Sequence, residues 1–199
     1  LLILLTAFVT HDFAIAFVAE NSSLAMPAGL TAAAIWGGQS GSLLTWAWML
    51  STLGAVAAWR VPRTAPDLAP AMTAVLALLL TFFLGLLVFV SSPFEEVAVV
   101  PADGRGLNPL LWDTAMQTHP PVLTAGYVSF AIPFALAFAA LLRGRVDRTW
   151  LRATRGWMLL AWSFQGAGLI VGAWWAYRVL GWGGYWGWDP VENGGLLPW

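Results

Sequence analysis

Apolar positions along this chain gather into five blocks, at 1–18, 42–59, 71–90, 122–142 and 157–180, parted by stretches rich in Gly, Pro, Ser and charge. The last three blocks approach the ~20 residues that carry a helix across ~30 Å of hydrocarbon. Their alanine and leucine content suits helix better than strand. The first block opens within an apolar run, L-L-I-L-L-T-A-F-V, and reads as a membrane helix that begins upstream. The pattern predicts an all-α fold: a polytopic transmembrane helix bundle, one membrane domain over 1–199, belonging to a longer chain. Two connections, at 60–70 and 143–156, are short. Those at 19–41 and 91–121 are about twice as long, and long connections more often carry function.

Composition supports the membrane reading. Hydrophobic residues make up 59% of the chain and charged ones 10%, against about 25% charge in soluble domains. Mean hydropathy is +0.74. Arg60, Arg63, Arg143, Arg145, Arg148, Arg152 and Arg155 all fall in or beside the two short connections, whereas the long ones hold only Arg105. The positive-inside rule then puts the arginine loops in the cytoplasm and the long connections, with the segment 181–199, outside. There are no cysteines, which excludes disulfides and thiolate metal sites. A net charge of −1 gives no case for nucleic-acid binding.

Four stretches carry candidate chemistry. His119 precedes Pro120 and Pro121, which favour an extended approach or a first helical turn. Its imidazole suits a metal or haem iron, and equally a histidine that caps a Pro-Pro helix start. Trp36, Gly37, Gly38 and Gly41, in I-W-G-G-Q-S-G-S, allow close approach of backbone to backbone or to a ligand. His11 and Asp12 form a polar pair near a helix end. The segment 181–199 interleaves Trp182, Tyr185, Trp186, Trp188 and Trp199 with glycines at 181, 183, 184, 187, 194 and 195. Asp189 and Pro190 read as N-cap and first residue of a helix, with Glu192 at capping-box spacing. The aromatics before that cap are expected to form an apolar surface suited to a large planar ligand, with lipid headgroups as the competing occupant.

W-G-W-D-P-V-E-N, residues 186–193, resembles the "WWD" signature of the haem-handling proteins of cytochrome c maturation. The resemblance extends over the chain through D-F-A-I-A-F-V-A-E-N-S at 12–22, I-W-G-G-Q-S-G-S-L-L-T-W at 35–46 and N-P-L-L-W-D-T-A-M-Q-T-H-P-P-V-L-T-A-G-Y at 108–127. Within that superfamily it is most similar to the CcmF/NrfE family of haem lyases. It departs from the pattern at Ser40, Tyr185, Gly187, Gly194 and Gly195, and His11 matches no family ligand.

The resemblance implies an inner-membrane haem lyase in which this chain is the N-terminal part. Such a protein takes b-type haem, as substrate, from a periplasmic haem chaperone. It joins the haem vinyl groups to the thiols of a C-x-x-C-H apocytochrome c brought by thiol-handling delivery proteins. His119 is then the haem axial ligand. Trp182, Tyr185, Trp186 and Trp188 form the haem-binding surface. Asp189, Pro190, Glu192, Asn193, Trp36, Gly37, Gly38 and Gly41 are motif residues. No catalytic residue is assigned, because the reacting thiols belong to the substrate. A haem-delivery or export member of the same superfamily is the nearest alternative, and a membrane scaffold or transporter the remote one.

Overall fold

The computed structural model describes residues 1–144 and 146–199, so Arg145 of the arginine loop lies outside the described residues. The helices are α1 (Leu2–Val9), α2 (Ala16–Asn21), α3 (Ala28–Ala33), α4 (Gln39–Arg60), α5 (Ala69–Phe89), α6 (Ala115–Ser129), α7 (Ala131–Leu142), α8 (Arg148–Val179) and α9 (Pro190–Leu196). Among the described residues there is no strand, only an isolated bridge between Ile15 and Glu96. The fold is an all-α bundle. Four stretches are long and apolar enough to cross a membrane: Gln39–Arg63, Ala69–Phe89, Ala115–Leu142 and Arg148–Val179.

The first apolar block is not one helix to residue 18. α1 stops at Val9, and a turn over 10–14 places His11 at φ 54°. His11 Nδ1 bonds the Phe8 carbonyl at 3.1 Å, and the Ala14 N–H donates to Asp12 Oδ1 at 3.2 Å. This polar pair therefore shapes a turn.

The fourth block also starts differently. Pro120 and Pro121 lie inside α6, which begins at Ala115. Asp113 opens it by accepting the Ala115 N–H at 2.8 Å. Proline has no N–H, so Pro120 leaves the Met116 carbonyl without its i+4 donor. The Trp36 indole N–H fills that gap at 2.7 Å. Further on, Pro133 likewise frees the Ser129 carbonyl, and the span breaks there into α6 and α7.

Two apolar cores result. One joins α4, α5 and α7 through Leu50, Met72, Leu76, Ile132 and Leu136. The other packs Leu4, Phe8, Phe17, Val18, Ile35 and Leu107 beneath α1–α3. The two long connections fold onto each other in this second core. The Leu24 N–H donates to Asp103 Oδ1 at 2.9 Å and the Arg105 N–H to the Ala19 carbonyl at 2.8 Å. The cap so formed sits over the N-terminal end of α6, which carries His119.

Candidate functional site

α6 and α8 cross closely because small residues line the crossing. A Cβ on Gly126 would stand 2.6 Å from the Gln165 backbone, and one on Gly168 would stand 2.7 Å from Leu123 Cα. The crossing brings the His119 ring onto α8, where Nδ1 lies 3.0 Å from the Gly168 carbonyl. A carbonyl only accepts, so Nδ1 carries the proton of the neutral ring and Nε2 keeps its lone pair. The ring stacks on Trp175 at 6.2 Å and 15°. Gly172 makes room for it, since a Cβ there would stand 2.5 Å from His119 Cε1.

After α8 the chain turns through 180–189, with positive φ at Gly181, Gly183 and Trp188. The residues that follow latch this loop. Asp189 Oδ1 accepts the Val191 and Glu192 N–H groups at 2.8 and 2.7 Å. Glu192 Oε2 accepts from the Gly187 N–H at 2.7 Å and the Asp189 N–H at 3.4 Å, closing the capping box. Asn193 Nδ2 donates to the Trp188 carbonyl at 3.0 Å. The carboxylates foreseen as a cap are engaged as one. Gly187 is filled by a neighbour: a Cβ there would meet the Trp182 ring at 3.1 Å.

α9 then runs back along α8. Gln165, fully buried, donates to the Gly195 carbonyl at 2.8 Å, and Trp199 stacks on Trp162 at 5.4 Å and 10°. Gln165 is about 20 Å along α8 from Val179, at 1.5 Å per residue.

Loop and crossing line an open cleft of about 100 Å³ that gathers His119, Gly172, Trp175, Trp182, Trp186 and Glu192. Asp189 also reaches its wall. The indole N–H groups of Trp175 and Trp186 are buried there without an acceptor among the described residues. Buried donors of this kind normally find a partner. A second cleft lies against the same His119–Trp175 pair and is lined by Trp36, Gly37, Met116 and Pro120.

The sequence profile of the cytochrome C assembly protein family matches residues 36–199. The chain belongs to that family. It is 47% identical over 196 residues to the cytochrome c-type biogenesis protein CcmF of Pseudomonas fluorescens, covering 97% of this chain and 29% of the relative. It is 43% identical to CcmF of Escherichia coli strain K12, covering 100% of this chain and 31% of the relative. The solved structure of a cytochrome c haem lyase CcmF superposes with a TM-score of 0.84 at 38% identity, over 100% of this chain and 31% of that one. The chain thus spans about 30% of the length of the relatives it matches.

The tryptophan-rich segment divides within this chain. Trp182 and Trp186 face the cleft, whereas Tyr185 stacks on Tyr177 of α8 at 4.4 Å and Trp188 is 69% exposed. Of the glycine motif, Gly37 reaches the second cleft. Gly38 and Gly41 press on Phe17, with Cβ positions 2.7 and 2.6 Å from its ring. Pattern reading missed Trp175, which lay within an apolar block and carried no motif. It also missed Arg178, whose guanidinium pairs with Asp113 at 3.1 Å and sits 4.4 Å over the Trp174 ring. An arginine in the last turn of α8, at the arginine-poor end of the bundle, was the available signal.

Proposed function

We propose that this chain forms the haem-holding part of a cytochrome c haem lyase, with b-type haem as its substrate. The observation that carries this reading is the cleft itself. It joins an imidazole whose Nδ1 is tied to the Gly168 carbonyl to the indoles of Trp175, Trp182 and Trp186. Haem iron calls for the free Nε2 of His119, and its ring for the faces of Trp182 and Trp186.

In the reaction, each thiol S–H of a C-x-x-C-H apocytochrome adds across one haem vinyl C=C. The sulfur bonds to one carbon, the proton goes to the other, and no group leaves. The protein's contribution is to fix the haem so that the vinyl edges meet the thiols, since orientation lowers the barrier of such a step. His119 fixes the iron and the indoles fix the plane. Asp189 and Glu192 hold the loop. Haem arrives from a periplasmic haem chaperone and the apocytochrome from thiol-handling delivery proteins.

This assignment separates the aromatics. In the whole protein, Trp182→Ala with Trp186→Ala is expected to lower the haem recovered on purification about tenfold, at 0.5–1.5 kcal/mol per aromatic contact. Trp188→Ala is expected to leave recovery within about twofold, because its ring is outside the cleft. Haem retained by the double variant and lost from Trp188→Ala would place the haem on the outward surface instead.

The protein sits in the inner membrane with the cleft on the periplasmic side, a reading supported by the arginine distribution. Single cysteines at Val99, Val146 and Gly184 test this, in a background free of other cysteines. In intact spheroplasts an impermeant thiol reagent should label those at 99 and 184 and spare the one at 146. Labelling at 146 alone would invert the topology.

A further inference from the structure

At the end of the bundle away from the aromatic loop, α4 finishes and α8 begins. Between them lies an open groove of about 540 Å³, lined by Trp59, Arg60, Arg63, Arg152, Gly156 and Trp157 among others. No carboxylate lines it. The acids of these two connections, Asp67 and Asp147, line a separate depression with Arg143. Arg60 and Arg152 have no ion-pair partner among the described residues. The Arg63 guanidinium is held 4.2 Å over the Trp59 ring and donates to the Trp59 carbonyl, which fixes its charge at the rim. Below the rim the walls turn apolar, with Val61 and Ala153 buried and Trp157 and Leu160 continuing along α8.

Topology signalling alone would need only arginines at this end, in any arrangement. Here they share one groove, separated from the acids, with tryptophan at the level where aromatic belts meet headgroups. A groove cationic at its rim and apolar along its depth fits an amphipathic anion. A free phosphate would use the rim and make no use of the apolar wall. We propose that this groove is a binding site for an anionic phospholipid, whose phosphodiester meets Arg60, Arg63 and Arg152 and whose acyl chains lie along Trp157 and Leu160. Basic pockets between membrane helices hold anionic headgroups in this way. The site stands independently of the haem reading, since it is built at the opposite end of α8.

The test is native mass spectrometry of the whole protein with added phosphatidylglycerol or phosphatidylcholine of identical acyl chains. The parent is expected to retain phosphatidylglycerol about 100-fold more tightly, and Arg60→Gln with Arg152→Gln to reduce that preference to about fivefold, at roughly fivefold per arginine. Gly156→Leu offers a second route that leaves every charge in place. A Cβ at Gly156 meets nothing within 4 Å, so the added side chain points into open space and should displace the lipid. Arg155→Gln, on the same helix and outside the lining, should keep the preference. Equal retention of the two lipids by the parent would overturn the proposal, as would an undiminished preference in both groove variants. Displacement of phosphatidylglycerol by millimolar inorganic phosphate would also overturn it, by assigning the rim to a free anion.

Discussion

His119→Ala in the whole protein is expected to lower the yield of mature cytochrome c at least about tenfold, the lower end of the usual loss when a metal site is disturbed. The bundle should insert normally. The ring contributes one bond to the Gly168 carbonyl and one stack on Trp175, while the α6–α8 crossing rests on Gly126 and Gly168. The absorption spectrum of the haem bound at the cleft should change, because removing one axial nitrogen alters the iron's ligand field. Added imidazole should restore part of the spectrum and part of the yield. That rescue separates ligation from packing, since a free imidazole can replace a ligand but cannot restore a helix contact. A variant that inserts, keeps its spectrum and keeps its yield would reduce His119 to a residue that merely packs α6 on α8.

The parts of this picture that were legible from sequence are those governed by local chemistry. The apolar blocks located α4, α5 and the later part of α8 because a membrane span must be long and apolar whatever surrounds it, whereas the arginine-rich first turns of α8, from Arg148, read as part of a connection. The Asp189 cap was legible because its bonds close within four residues. The first block misled because hydropathy does not register a turn, and the turn at His11 interrupts residues that remain apolar on both sides. The start of α6 was misplaced for a tertiary reason. A Pro-Pro pair normally marks a helix boundary, but the carbonyl freed by Pro120 is satisfied by Trp36, 80 residues earlier than Met116. The division of the tryptophans was also out of reach. Which rings face the cleft depends on α9 folding back along α8 to meet Gln165, a contact between residues 30 apart.

Gly172→Ala should impair the site as strongly as loss of the histidine, without removing any chemical group. In most helix interiors this change favours folding, by roughly 0.5–1 kcal/mol. Here the new Cβ would stand 2.5 Å from His119 Cε1 and 3.0 Å from Nδ1. The α6–α8 crossing leaves the backbone little room to retreat, so the imidazole must rotate away from the Gly168 carbonyl and from Trp175. Cytochrome c yield is expected to fall about tenfold, matching the loss of a disturbed metal site, with membrane insertion intact. Gly85→Ala, within α5, is the control, where nothing lies within 4 Å of the added methyl; its yield should match the parent's. The two substitutions at the site should not add. With His119 already alanine the collision is gone, so Gly172→Ala should cost nothing further, as expected for residues that act through one contact. A double variant whose yield is the product of the two single losses would mean that Gly172 acts through something other than the histidine ring, and the geometry assigned to the His119 side of the cleft would have to be abandoned.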